Sequence, residues 1–317
     1  MCIMAALKPF KGCKRVELDG LKFPLGLSYK IDGFRGMNYG GGINSSTGKP
    51  FKNEYTNEVF ARASHIVAGL DGELCAGAPN DKNLMQQCTS AFNSVKGEPE
   101  FHFWVFDDFS DLDLPFKERY AKYQSRVVSG NVILEELGLP PFLRAVEYRF
   151  IENQEQYDAM QQEAADLRYE GLYGKSWEGK YKHGRGTPKE ATCWKDKPWT
   201  DEEGVIVDFI EMEENTNEAF LDELGRTKRS THKAGMVGKG ILGSYVVINP
   251  KYCDKNCEPI PFNVSCGSMT MEERTERWLS REEERGDTIT YKFFDFGIVD
   301  VPRSAIYKCH RPAFDLP

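Results

Sequence analysis

The sequence changes character near residues 196–204, and this change constrains the fold of the 317-residue chain more than any other feature. The preceding pattern of strand-like and helix-like segments is interrupted here by Pro198, the acidic run 201–203 and Gly204. The part before it alternates strand-like and helix-like segments, whereas the part after it is strand-like with a single helix. A chain of this length can bury two hydrophobic cores. We therefore predict two domains, residues 1–199 and residues 200–317.

The first part has the pattern of an α+β domain. Apolar residues at helical spacing predict helices that begin near residue 53 and that cover residues 117–137 and 154–167. A polar loop or short helix is expected between residues 75 and 101. Extended segments are predicted at residues 22–39, which end in a turn at glycines 40–42, and at residues 70–75, 101–109, 169–173 and 190–197.

The second part has the pattern of a small β-rich domain. Its strand-like segments are residues 205–212, 243–248 and 288–294. One helix begins near Met271, where Thr270 and Glu273 have the spacing of a capping box. An oligonucleotide-binding (OB) barrel is the commonest shape of this kind among nucleic-acid proteins. The string 238–243 matches a dinucleotide fingerprint but leads into a strand, which argues against a Rossmann domain.

Composition is that of an ordinary soluble protein, with 40% hydrophobic and 28% charged residues. No apolar run approaches the roughly 18 residues that span a bilayer, and residues 1–7 lack the features of a signal peptide. Nine cysteines, an odd number, favour free thiols in the cytoplasm. Cys253, Cys257 and Cys266 lack the fourth ligand of a structural zinc site.

The formal charge of -8 argues against nucleic-acid binding by the whole surface. Local basic stretches would have to provide it, and affinity would then depend strongly on salt. One stretch contains Lys182 and Arg185, and a second contains Lys228, Arg229 and Lys233. Either stretch alone is equally typical of a solvated surface, so both remain hypotheses.

The string KIDGFR at residues 30–35 is the strongest indication of chemistry. Lys30 and Asp32 point to one side of a strand because side chains alternate. Gly33 allows a tight turn against a ligand, and Arg35 offers a rigid fork for phosphate or ribose oxygens. A lysine amine becomes nucleophilic when burial or neighbouring cations lower its pKa. The pattern predicts that Lys30 attacks the α-phosphate of a nucleotide.

Four more short motifs follow in order along the chain. The strings DGE and EGLYGK supply two carboxylates, Glu73 and Glu170, and FWVFD supplies Phe106, an aromatic ring that can stack on a base. The string WKDKP supplies Lys195 and Lys197, which point the same way on a strand. These two cations are expected to neutralise phosphates and to lower the pKa of the nucleophilic lysine.

In this order and spacing, the five motifs resemble those of the ATP-dependent DNA ligases, and most closely the small phage-type enzymes of the covalent nucleotidyltransferases. The resemblance extends from about residue 16 to the end. It implies an α+β fold, with a nucleotidyltransferase (ATP-grasp-like) domain of antiparallel sheets and helices followed by a small OB-fold β-barrel. It also implies a monomer that uses ATP and Mg²⁺ or Mn²⁺ and binds nicked duplex DNA.

By this resemblance, the lysine of the first motif forms a lysyl-AMP adduct, AMP passes to the 5′-phosphate of a nick, and the 3′-hydroxyl displaces AMP. Glu170 would bind the metal, and Glu73 would contact the ribose or the metal. Phe106 would stack on adenine. The other implied nucleotide contacts are Asp32, Arg35, Lys195, Lys197, Arg303 and Arg311, of which the last two would engage the pyrophosphate.

One position departs from the family pattern. Similar ligases carry an arginine shortly after the first motif, where this chain has Ser46. The phosphate contact implied for that arginine is therefore missing, and Lys49 or Lys52 is a candidate replacement.

Two other functions remain open. An mRNA-capping guanylyltransferase or an RNA ligase shares the first motif, although the string 194–198 and the C-terminal segment favour DNA. A non-catalytic nucleic-acid-binding protein could keep the same scaffold, but binding alone does not need Lys30 with both lysines of the last motif.

Overall fold

The computed structural model describes residues 8–14, 21–39, 41–222 and 225–311. Residues 1–7 with Cys2, and Gly40 of the predicted turn, lie outside this part. The chain divides into two compact units. One unit contains the residues up to Lys197 together with Asp222–Arg226, and the other contains Pro198–Leu221 and the residues from Thr227 onward.

The first unit contains two five-stranded sheets. The first sheet has the strand order β1 (Cys13–Lys14), β10 (Cys193–Asp196), β9 (Leu172–Ser176), β2 (Leu25–Tyr29) and β8 (Arg149–Ile151). The second sheet has the order β4 (Ile43–Ser45), β3 (Phe34–Asn38), β5 (Leu70–Cys75), β6 (His102–Asp108) and β7 (Leu143–Ala145). Pairing is antiparallel except at β1–β10 and β6–β7.

Five helices accompany these sheets within the described residues, and the helix predicted to begin near residue 53 is divided into two at Ala63. They are α1 (Glu54–Arg62), α2 (Ser64–Val67), α3 (Leu84–Asn93), α4 (Phe116–Glu136) and α5 (Gln154–Asp166). The Asn53 side chain caps α1 by accepting a hydrogen bond from the backbone N–H of Thr56 at 2.8 Å. The stripe predicted on α5 buries Tyr157, Met160 and Ala164, but Leu167 is 43% exposed because the helix ends at Asp166.

The strand predicted at residues 169–173 is displaced in the structure, where β9 begins at Leu172. Gly171 precedes it with a φ of +142°, and a Cβ there would lie 2.2 Å from the carbonyl oxygen of Asp196. Only glycine fits this close approach, so the chain turns here and the strand starts after the turn. The turn also brings Glu170 to the end of the first sheet.

The second unit is a closed barrel of five strands with one helix. The strand order is β11 (Thr200–Asn215), β14 (Met236–Ile248), β15 (Phe262–Ser265), β17 (Ile306–His310) and β16 (Thr288–Phe293). Helix α6 (Met271–Leu279) has the predicted capping box of Thr270 and Glu273. A separate hairpin joins β12 (Ala219–Leu221) to β13 (Thr227–Arg229). The predicted β-rich domain with one helix is thus a barrel.

The acidic run 201–203, which the sequence suggested as a break, lies inside β11. Charged residues are tolerated there because their side chains find partners: Asp201 pairs with Lys308 at 2.5 Å, and Glu202 accepts a hydrogen bond from Tyr252 at 2.8 Å. The fingerprint string 238–243 lies inside β14 and precedes no helix. Of the three cysteines considered for zinc, Cys253 and Cys257 are exposed whereas Cys266 is buried in the barrel core.

Across the described ranges, every helix is too short or too polar to cross a membrane.

Candidate active site

A cavity of about 210 Å³ in the first unit is lined by residues from both sheets. Antiparallel pairing sets Arg35 on β3 opposite Glu73 on β5, so both side chains point to one face of the second sheet. The first sheet contributes strand β10 and the residue that follows β2. Six of the predicted site residues line this cavity: Lys30, Arg35, Glu73, Phe106, Arg185 and Lys195.

Lys30 lies directly after β2, where its backbone N–H donates to the carbonyl of Gly171 at 2.8 Å. Its ammonium group forms an ion pair with one carboxylate oxygen of Glu170, and Lys197 contacts the other oxygen. Glu170 is 2% exposed. The predicted nucleophile, the predicted metal ligand and a lysine of the last motif are therefore in direct contact.

The sign of the pKa shift at Lys30 is opposite to the prediction. Burial lowers the pKa of Lys30, but the carboxylates of Glu170, Glu73 and Asp32 together outweigh burial and raise it. Burial, followed by the charges of Lys197 and Lys30, instead lowers the pKa of Lys195. In the unliganded protein the Lys30 amine is therefore held protonated by its acidic neighbours.

Glu73 has the properties of a cation ligand. Burial first, and then the charges of Asp32 and Glu170, raise the pKa of Glu73 to about 8 against the opposing effect of Lys30 and Arg35. Its carboxylate forms no hydrogen bond or ion pair with the described residues. These residues contain no group of three or more metal-ligating side chains, but Mg²⁺ commonly uses one or two carboxylates beside phosphate oxygens. The donor set fits such an ion.

Arg35 is held in place by the protein. Its guanidinium donates to both carboxylate oxygens of Asp71, at 2.9 and 2.5 Å, and to the carbonyl of Phe10 at 2.7 Å. The guanidinium carbon lies 5.2 Å from the centre of the Phe106 ring. Because its fork is occupied by Asp71, Arg35 presents only its remaining Nη1 group to a ligand.

A buried charge network behind Phe106 was not foreseen from the sequence. Asp107 is 1% exposed, pairs with Arg119 at 2.8 Å and pairs with Lys175 at 2.6 Å. The Lys175 ammonium also donates to the carbonyl of Phe106 at 2.8 Å. Asp107 belongs to the motif FWVFD and Lys175 to the motif EGLYGK. A charged residue inside an apolar strand is the sequence feature that could have indicated this network. The network fixes the backbone that carries the Phe106 ring.

Three basic side chains line the cavity without a carboxylate partner among the described residues: Lys11, Arg185 and Lys195. Burial, and then the charges of Arg35, Arg226 and Arg185, lower the pKa of Lys11. Ser46 lines the same cavity, whereas Lys49 and Lys52 are exposed and do not. The two candidate replacements for the missing arginine therefore lie outside the cavity, whereas Lys11, which the sequence did not indicate, lines it.

The other basic residues lie elsewhere. Lys182 pairs with Glu190 at 2.6 Å on the surface of the first unit. In the barrel unit, Lys228, Arg229 and Lys233 are exposed on or just after the β12–β13 hairpin. Arg311 pairs with Glu203 at 2.5 Å, and Arg303 is half-buried beside Gly297.

Changing Glu170 to glutamine is expected to lower the pKa of the Lys30 amine, because burial then acts against weaker carboxylate attraction. An amine-specific reagent is reacted with the protein at a series of pH values, without nucleotide or metal, and peptide mass spectrometry measures the labelling of Lys30. The pH dependence of this labelling measures the pKa shift. Glu190→Gln, which removes the partner of Lys182, should leave the Lys30 profile unchanged. An identical Lys30 profile in Glu170→Gln and wild type would disprove the electrostatic assignment.

Neither a protein-family model nor a curated protein matches the chain. Solved structures match it in fold. The Chlorella virus DNA ligase-adenylate is 22% identical, covers 97% of this chain and 99% of its own, and gives a TM-score of 0.53. A Lig E DNA ligase is 17% identical, covers 96% of this chain and 99% of its own, and gives a TM-score of 0.67. The chain therefore has the fold of the DNA ligases, an α+β nucleotidyltransferase domain and an OB-fold barrel, which confirms the predicted fold class.

Proposed function

We propose that the protein is an ATP-dependent DNA ligase that seals nicks in duplex DNA. The observation that carries this proposal is the convergence of Lys30, Glu73, Phe106 and Lys195 on one cavity, with Glu170 bridging Lys30 and Lys197. A nucleophilic amine, an aromatic ring, carboxylates and unpaired cations are the groups that nucleotidyl transfer to a lysine requires. The enzyme acts as a monomer in the cytoplasm of its cell or host.

In the first step the Lys30 amine bonds to the α-phosphorus of ATP, the bond from that phosphorus to the bridging oxygen breaks, and pyrophosphate leaves. The amine loses its proton before or during this attack. Adenine stacks on Phe106, Asp32 and Arg35 hold the adenylate, and Lys195 and Lys197 neutralise the phosphate charge. Positioning and charge neutralisation supply most of the rate in such transfers.

Glu73 and Glu170 would hold Mg²⁺, which supplies positive charge for the phosphates when bound. The unpaired Glu73 carboxylate, with its raised pKa, is the basis for this assignment. Cation binding at Glu170 would weaken the attraction that keeps Lys30 protonated.

In the second and third steps AMP passes to the 5′-phosphate of the nick, and the 3′-hydroxyl then displaces AMP as the strands join. Lys11 and Arg185 are proposed to bind this 5′-phosphate, since both line the cavity beside Ser46 and neither has a carboxylate partner among the described residues. Lys182 would contact the DNA backbone nearby.

We assign residues 1–199 to the adenylation domain and residues 200–317 to the DNA-binding OB domain. The Lig E enzyme was studied for DNA binding with a minimal scaffold, and the same role is proposed for the barrel here. Its DNA contacts are Lys228, Arg229 and Lys233. Arg303 and Arg311 would engage the pyrophosphate in the first step, after Arg311 leaves Glu203.

A sealing assay on a labelled nicked duplex with Mg²⁺ tests the proposal. Joined strands are expected with ATP and not with GTP. Adduct formation with GTP would indicate a capping guanylyltransferase, and sealing confined to RNA strands would indicate an RNA ligase. Binding to nicked DNA without sealing by any nucleotide would identify a non-catalytic binding protein.

Arg229→Ala is expected to weaken binding of nicked DNA and to reduce the slope of log affinity against log salt by about one. The adenylation rate should be unchanged, because this exposed guanidinium belongs to the second unit and does not line the cavity. Affinity titrations at several salt concentrations measure the slope. Lys255→Ala, an exposed lysine of the same unit outside the basic stretch, is the matched control. Equal losses of adenylation and DNA binding would rule out this role.

A further inference from the structure

A buried carboxylate inside the last of the five motifs takes no part in the chemistry described above. Asp196 is 2% exposed and lies between Lys195 and Lys197 at the end of β10. Because Lys195 lines the cavity, alternation along the strand directs Asp196 to the opposite face, with the buried Trp194. Burying a carboxylate costs free energy that an apolar side chain in the same place would avoid. This carboxylate therefore calls for a specific role.

Helix α5 holds the Asp196 carboxylate. The hydroxyl of Tyr157 donates to one carboxylate oxygen at 2.9 Å, and the side-chain amide of Gln161 donates to the same oxygen at 3.2 Å. These two donors are four residues apart, so they lie on one face of the helix. The Tyr157 hydroxyl also accepts a hydrogen bond from the indole N–H of Trp194 at 3.5 Å. The end of β10 is therefore fixed to α5 by directed hydrogen bonds as well as by apolar packing.

From Asp196 the connection continues through the backbone to the nucleophile. The carbonyl oxygen of Asp196 lies so close to Gly171 that a Cβ on this glycine would be 2.2 Å from it, and 3.1 Å from the Cα of Lys197. The carbonyl of Gly171 in turn accepts the backbone N–H of Lys30 at 2.8 Å. Glu170, which contacts the ammonium groups of Lys30 and Lys197, directly precedes this glycine. A displacement of Asp196 is therefore expected to disturb all three charged groups.

We propose that Asp196 is a positioning residue for adenylyl transfer, held in place by Tyr157 and Gln161. This inference rests on the proposed function, because the step that it affects is the attack of Lys30 on ATP. The Asp196 carboxylate faces away from the cavity, so it acts through the backbone that carries the two lysines of the last motif. The rate of such a transfer depends steeply on small displacements. Loss of the contact should therefore slow the transfer and leave ATP binding nearly unchanged.

The test measures single-turnover adenylation of the complete protein by α-labelled ATP with Mg²⁺, over a range of ATP concentrations and at a temperature at which each variant is folded. Tyr157→Phe and Asp196→Ala should each lower the rate constant at saturating ATP about tenfold, and the half-saturating ATP concentration should change less than about twofold. The double variant should be no slower than Asp196→Ala, because the hydroxyl acts through the carboxylate. Asp196→Asn, which keeps an accepting oxygen, should be faster than Asp196→Ala.

Tyr252→Phe is the matched control, since the Tyr252 hydroxyl also donates to a carboxylate, that of Glu202 at 2.8 Å, but in the barrel unit. This variant should melt at a lower temperature than the wild type and be adenylylated at the wild-type rate. If Tyr157→Phe also melts lower but is adenylylated at the wild-type rate, or if only its half-saturating ATP concentration changes, the inference is wrong and the proposed function stands. Tyr157→Phe alone decides this if Asp196→Ala does not fold. Wild-type protein that forms no adduct would overturn both.

Discussion

Replacing Lys30 with alanine is expected to abolish transfer of radiolabel from the α-phosphate of ATP to the protein, a loss of at least about 10³-fold. The reason is that no other side chain would supply the attacking amine at the α-phosphorus. Lys11 and Lys195 also line the cavity, but neither contacts Glu170. Label that survives denaturation of the protein measures the covalent adduct.

Lys30→Arg separates loss of the nucleophile from loss of the ion pair. The guanidinium keeps a positive charge beside Glu170 but stays protonated and cannot attack phosphorus. We expect this variant to bind ATP and to form no adduct. Lys82→Ala, which changes an exposed lysine, should form the adduct at the wild-type rate. Adduct formation by both Lys30 variants would show that another residue is the nucleophile.

The largest effect on stability is expected from Asp107→Ala. This substitution leaves the ammonium of Lys175 and the guanidinium of Arg119 buried without their shared carboxylate. Removing one partner from a buried ion pair costs about 3–5 kcal/mol. Chemical denaturation followed by tryptophan fluorescence measures the change in the free energy of unfolding.

Asp113→Ala is the control for this measurement. Asp113 pairs with Lys180 at 3.1 Å, but their side chains are 92% and 65% exposed. Exposed pairs contribute little, so the loss should stay below about 0.5 kcal/mol. If Asp107→Ala lowers the free energy of unfolding no more than Asp113→Ala does, the Asp107 network does not stabilise the first unit.

Local patterns in the sequence were sufficient to predict much of the fold. Helices α1, α4 and α5 lie close to their predicted positions, and β5 was predicted with its observed limits. The chain turn at Gly171 was not predicted, because it depends on a close approach to Asp196 in a different strand. The limits of β11 also depend on distant partners, since its acidic residues are accommodated by Lys308 and Tyr252.

The same distinction between local motifs and distant partners applies to the residues of the site. Short motifs indicated Lys30 and Phe106, but they gave no indication of Lys11, which reaches the cavity beside Arg185 through a pairing distant in sequence. The pKa of Lys30 was predicted with the wrong sign because Glu170 contacts both that lysine and Lys197. Spacing along a chain shows which charges are available, whereas the sign of a pKa shift depends on which charge lies nearest in space.

Lys30 is expected to become adenylylated. The most direct measurement is intact mass spectrometry of the wild-type protein after incubation with ATP and Mg²⁺, followed by peptide mapping. We expect a mass increase of one adenylyl group located on Lys30, no increase with GTP, and return to the original mass when nicked DNA is added. An unmodified mass under conditions in which ATP binds, or an adenylyl group on another residue, would show that Lys30 is not the nucleophile.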